Sequence, residues 1–166
     1  MQRLILMRHA EAERAAGSGR DRDRVLSARG RRDAAAMGRA LSERGMRPDL
    51  ALVSPAARTR QTWELLHDAF GDVEVREDEP LYNGGSETLR RFVEAGEDEA
   101  GCLMVVAHNP GVHLLAVEYL VESAASPSVL DRINGFPPGA AAIFIVDVAG
   151  RCTFEGFIQP GDLGGA

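Results

Sequence analysis

Three short apolar runs, Leu4 to Met7, Leu50 to Val53 and Cys102 to Ala107, constrain this chain more than any other feature, because none of them alternates with polar residues. A strand wetted on one face alternates, whereas a strand covered on both faces reads as a continuous apolar run. Each run is followed by a helix pattern. After the first, Ser27 is placed as an N-cap, and Ala34, Met37 and Leu41 recur at helical spacing before Gly45 and Pro48 end the pattern. After the second, Ser54 is placed to cap and Pro55 to fill the first helical position, with Thr59, Trp63, Leu66 and Phe70 forming a stripe that stops at Gly71. After the third, Pro110 and Gly111 open a helix with Val112, Leu115, Ala116 and Tyr119 on one face and Leu114, Val117 and Val121 on the other, which predicts burial all round.

A strand at Val73 to Arg76, a helix over Ser86 to Gly96, a long loop with a short helical turn over Ser123 to Gly139, and a closing strand pair complete the reading. That pair is Ala140 to Val148 and Cys152 to Ile158, turned at Gly150 and Arg151. The alternation predicts an α/β fold: a three-layer helix-sheet-helix sandwich whose mainly parallel sheet gains an antiparallel addition near the C-terminus. At 166 residues the expectation is one domain over 1–166, with 159–166 an irregular tail.

Composition removes several functions. All 19 basic residues are Arg, so the chain has no Lys for a Walker A phosphate loop or for Schiff-base catalysis. Net charge is −6, unevenly spread: residues 1–60 hold 14 Arg against 7 acids, and residues 61–166 hold 5 Arg against 18 acids. An acidic total argues against a nucleic-acid partner, whose binding needs a basic surface. Cys102 and Cys152 lie far apart with no CxxC, which points to free thiols rather than a zinc or redox site. No apolar run is long enough for a signal-peptide core or a membrane span, so a cytoplasmic protein with no membrane partner is expected.

Ligands of open α/β sheets bind outside the carboxyl ends of the strands, where the next helices present their N-termini. The first apolar run is followed there by Arg8 and His9, the second by Ser54 and then Arg58, and the third by His108 and Asn109. Two guanidinium forks and helix N-termini in one crevice describe an anion site, and a phosphoryl group fits it because Arg holds such oxygens bidentately. A neutral imidazole can attack phosphorus without the repulsion that an anionic nucleophile meets, and it forms a phosphohistidine that water can hydrolyse. No metal-binding motif stands near these positions, so Arg can do the charge neutralisation that Mg²⁺ does elsewhere.

These residues resemble the histidine phosphatase superfamily, and within it the small bacterial SixA-type phosphohistidine phosphatases. Leu6, Met7, Arg8, His9 and Ala10 are similar to its Arg-His-Gly signature, with Ala in place of Gly. Ser54 to Thr62 is similar to its second phosphate-binding segment, and His108, Asn109, Pro110 and Gly111 to its second-histidine segment. The resemblance implies that His9 is the nucleophile, that Arg8, Arg58 and His108 bind the phosphoryl oxygens, and that no metal or organic cofactor takes part. Ser54 and Asn109 join the candidate phosphate-binding set. The loop Asp21, Arg22, Asp23, Arg24 resembles a subgroup segment near the site, although a solvated charge run is the simpler reading.

Many members that cleave phosphate esters carry an acid just after the second helix unit, and here Leu81, Tyr82 and Asn83 stand in that neighbourhood. Glu79 and Glu87 are nearby, and Glu87 is the candidate proton donor. An ester of a high-pKa alcohol needs that proton badly, and a phosphoramidate needs it less because neutral imidazole leaves easily. A short chain also leaves little for a lid over a small metabolite. The favoured substrate is therefore phosphohistidine on a protein, with a small phosphate ester as the alternative and a noncatalytic phosphate-binding module as the reading from another class. His67 and His113 are read as structural, as are Trp63, Phe70, Phe144, Phe154 and Phe157.

Overall fold

The structure, a computed structural model, describes residues 1–163. Six strands form one sheet in the order β3-β2-β4-β1-β5-β6. The parallel part comprises β1 (Arg3–Arg8), β2 (Leu50–Val53), β3 (Glu74–Glu77) and β4 (Cys102–Ala107). β5 (Ala141–Val146) and β6 (Cys152–Ile158) add antiparallel to β1 and to each other. The continuous apolar runs are explained by two cores. Leu4, Leu6, Leu103 and Val105 face one, and Ile5, Met7, Met104 and Val106 face the other. α3 (Ser86–Gly96) and α4 (Gly111–Glu122) cover the first face through Leu89, Val93, Val112, Leu115 and Tyr119. α1 (Ala28–Glu43) and α2 (Ala57–Phe70) cover the second through Met37, Leu41, Trp63, Leu66 and Phe70. The expected three-layer α/β sandwich is the observed one. No helix among the described residues is long and apolar enough to cross a membrane.

The Ser27 hydroxyl caps α1 by accepting from Gly30 N at 3.0 Å, as expected. Ser54 does not cap α2. That helix starts two residues later, with Ala56 at its N-cap and no side-chain cap, because the Ser54 hydroxyl is paired with His108 Nε2. α4 is not buried all round either: Leu114 and Val121 are exposed, since only the Val112–Tyr119 side meets the sheet. β3 is exposed along its whole length and lies one residue later than expected. β5 ends at Val146 instead of Val148 because Asp147 turns the chain. Its carboxylate accepts from Ala149 N and Arg151 N, its carbonyl accepts from Gly150 N, and Gly150 takes φ +81°. The long loop holds a short helix, α5 (Pro127–Arg132). A 3₁₀ turn covers Pro160–Leu163 in the expected tail, and residues 164–166 lie outside the described residues.

The loop between β1 and α1 reaches over the strand ends. Residues 11–13 run antiparallel to 25–27, through Glu13 N to Val25 O at 2.8 Å and Ser27 N to Glu11 O at 3.0 Å, with Ala12 bridging Leu26. Leu26 is fully buried beside Ala10 and Ala34, and its N–H donates to Gln61 of α2 at 2.8 Å. The base of the loop is thereby fixed, and a 3₁₀ turn at Asp21–Asp23 is held out over the strand ends. Gly30 lets this happen, since a Cβ there would stand 1.9 Å from the Glu11 carbonyl oxygen. Gly30→Ala is expected to destabilise the fold by about 1–3 kcal/mol through overpacking against backbone. A urea midpoint equal to wild type would count against this close approach.

Candidate active site

β1 and β4 are parallel neighbours with Arg8 opposite Ala107, so the residues that come after them, His9 and His108, emerge side by side. Their rings lie 5.4 Å apart, centre to centre. His9 N donates to Ala107 O at 3.1 Å, and the His9 carbonyl accepts from Gly139 N at 2.8 Å. The adjacent Ala10 N–H donates to Thr62 Oγ1 at 3.0 Å, and Thr62 in turn donates to the Arg58 carbonyl at 2.8 Å. The backbone carrying His9 is therefore tied to α2, the same helix whose first turn delivers Arg58.

His9 Nδ1 lies 2.7 Å from the Ala10 carbonyl oxygen. A carbonyl only accepts, so Nδ1 carries the ring proton and Nε2 keeps its lone pair. Burial pushes the His9 pKa down to about 4, against the pull of the Ala10 carbonyl, with the Arg58, Arg8 and Arg24 charges pushing the same way as burial. His108 is pushed down to about 3, first by burial and then by His9, Arg58 and Arg8, with Asp21 opposing. Both imidazoles are neutral at pH 7. His108 Nε2 is 2.7 Å from Ser54 Oγ, which also sits 3.4 Å from Ala56 N as an acceptor.

The guanidiniums come from two sides. Arg8 donates from Nη1 to the Phe136 carbonyl at 3.1 Å. Arg58, only 4% exposed, spends its Nη1 on the Asp21 carbonyl at 2.9 Å and its Nη2 on the Asp21 carboxylate at 3.0 Å. Among the described residues the buried side-chain nitrogens and oxygens without a hydrogen-bond partner are Arg8 Nε, Arg58 Nε and His108 Nδ1. All three belong to this one cluster. A buried polar atom without a partner is costly.

The remaining candidates divide. The Asn109 side chain is committed to backbone, donating to the Phe136 carbonyl at 3.2 Å and accepting from His113 N at 3.3 Å. Glu87 is exposed in the first turn of α3 and makes no hydrogen bond or ion pair with His9, His108, Arg8 or Arg58. Glu79 is paired with Arg22. His67 packs on Trp63 and His113 on Phe136. The charged loop is split in two. Asp23 turns outward to Ser18 and Arg20, whereas the Asp21 carboxylate accepts from Tyr82 Oη at 2.7 Å, Arg24 Nη1 at 2.8 Å and Arg58 Nη2 at 3.0 Å. Tyr82, which offers no carboxyl and so was no candidate by sequence, stands edge-on to His108 at 5.6 Å. Among the described residues no group of three or more His, Cys, Asp or Glu side chains is placed to hold a metal ion.

Paired histidines and arginines thus stand together at the carboxyl ends of a helix-covered sheet. A sequence model of the histidine phosphatase superfamily (branch 1) matches residues 4–99, and the chain belongs to that superfamily. An uncharacterized protein of Mycobacterium tuberculosis is 33% identical over 141 residues, covering 84% of this chain and 87% of its own. A solved structure from Agrobacterium tumefaciens, provisionally described as the phosphohistidine phosphatase SixA, is 31% identical with a TM-score of 0.85 and covers 96% of this chain and 98% of that one. The protein histidine phosphatase SixA complexed with tungstate is 25% identical with a TM-score of 0.82, covering 97% of this chain and 99% of its own. Membership and these neighbours support a phosphatase activity.

Both histidines have folded-state pKa values below the unfolded value of about 6.5, so the unfolded chain takes up protons first as pH falls. Their contribution to stability is fully present above that unfolded value and is lost as pH falls towards about 4 for His9 and about 3 for His108. The urea midpoint is expected to drop between neutral pH and the His9 value, and to drop less in a His9→Gln, His108→Gln double variant. Equal pH dependence in the two proteins would remove the histidines as its source.

Proposed function

We propose that this chain is a phosphohistidine phosphatase that takes the phosphoryl group from a histidine on another protein onto His9 Nε2 and then passes it to water, acting as one domain without a metal or organic cofactor. The observation that carries the reading is the His9 ring itself: buried, neutral, and pinned through Nδ1 so that its lone pair sits on Nε2, with the His108 ring 5.4 Å away centre to centre. Arg8 Nε, Arg58 Nε and His108 Nδ1 supply the donors for the phosphoryl oxygens. Such contacts strengthen as charge develops in the transition state.

His9 Nε2 forms a bond to phosphorus while the P–N bond of the donor breaks and its electron pair returns to the donor ring. The His9 ring, still holding its Nδ1 proton, becomes a phosphorylated imidazolium. Water then attacks phosphorus, the bond to Nε2 breaks, and dihydrogen phosphate leaves with His9 neutral again. A high-pKa alkoxide leaving group would need a proton that the nearby carboxyls are poorly placed to give. The Tyr82 hydroxyl and the Arg24 and Arg58 guanidiniums hold Asp21 well below the usual carboxylate range, and Arg22 holds Glu79 low. The resemblance to SixA structures supports the same substrate class.

Purified protein in EDTA is expected to release phosphate faster from a phosphohistidine peptide than from p-nitrophenyl phosphate, and His9→Ala is expected to release none from either. Arg58→Ala should lose about 10²–10³ in kcat, the usual cost of removing one transition-state donor. Turnover surviving in His9→Ala would overturn the nucleophile, and faster ester hydrolysis would move the substrate to small phosphate esters.

A further inference from the structure

The Asp21 carboxylate is a negative charge built into a site for an anion. Its side chain is 47% exposed, whereas His9 is 8%, Arg58 4% and His108 3% exposed, so Asp21 stands at the rim above the buried groups. It is fixed there by Tyr82, Arg24 and Arg58. The charges around it can be counted. His9 and His108 are neutral, Arg8, Arg24 and Arg58 are cationic, Asp21 is anionic, and Arg22 and Glu79 at the same rim pair with each other. The net of two positive charges matches a dianionic phosphoryl group. Attack by a buried nucleophile expels the leaving group in line, on the opposite side of phosphorus, which here is the exposed side. The departing group therefore meets Asp21.

We propose that Asp21 sets donor specificity as the counter-ion of a protonated nitrogen heterocycle, holding the leaving group's own proton in place while the P–N bond breaks. This role rests on His9 being the nucleophile. A phosphohistidine whose distal ring nitrogen is protonated carries a positive ring. The electron pair of the breaking P–N bond neutralises that ring, and a neutral imidazole departs with its proton retained. No separate acid is then required, which accounts for a rim carboxylate that stays ionised. A phenolate or alkoxide brings no such proton and is repelled by the same charge.

Asp21→Asn keeps the shape and removes the charge. Against the phosphohistidine peptide, kcat/KM is expected to fall about tenfold, the scale of one near-surface charge contact, while against p-nitrophenyl phosphate it rises. A loss of the same size on both donors would mean that Asp21 only organises Arg58, and no change on either would mean that it does nothing for specificity. Either result overturns the proposal. In the wild type, raising ionic strength from about 0.01 M to about 0.1 M shortens the Debye length from about 30 Å to about 10 Å and should narrow the preference for the peptide. A preference unmoved by salt counts against the charge even if the variant fails to fold. Failure of the underlying reading looks different: wild type inert on both donors, or His9→Ala still active.

Discussion

The parallel pairing of β1 with β4 is the constraint on which the site depends. With Arg8 opposite Ala107, the two histidines leave the sheet at the same level, and a shift of one residue would turn one of them towards the opposite helix layer. The central position of both strands secures that register. Each is flanked on both sides and covered on both faces. Hydrophobic burial at Leu4 to Met7 and Leu103 to Val106 thus fixes the polar geometry at the ends of the same strands.

Burial also sets the chemistry. A histidine on a wet loop would be partly protonated near neutrality and unable to attack while charged. Here the same desolvation that holds both rings neutral is tolerated because each ring has a hydrogen bond at one nitrogen, His9 to the Ala10 carbonyl and His108 to Ser54. The arginines keep their charge in this environment, since a guanidinium does not deprotonate in proteins. Neutral imidazoles and permanent cations can therefore share one crevice, an arrangement that lysines would fill less reliably because their pKa falls on burial.

The sheet and its helices were legible because their signals are local: apolar runs, a Ser27 cap, stripes ending at Gly45 and Gly71. So were Arg8, His9, Arg58 and His108, since residues that succeed a buried strand must lie at its end. The misreadings share a cause. Ser54 looked like a cap until a residue 54 positions away took its hydroxyl. Asp21 and Tyr82 meet across 61 residues, and nothing in either local sequence separates Asp21, which meets Arg58 and Tyr82, from Asp23, which pairs with Ser18 and Arg20. Outer-face burial of α4 failed for the complementary reason, since an apolar stripe states what a face could bury and the sheet supplies only one side.

The edge of the sheet carries a consequence of its own. β3 is four residues long, exposed throughout, and its charged side chains are engaged: Arg76 with Glu74 and Glu99, and Glu77 with Arg60. An unpaired strand edge is a template for another chain, and short, charged edges blunt that hazard. At the β3 edge the ladder is therefore blunted, while the crevice at the strand ends stays open to a visiting group.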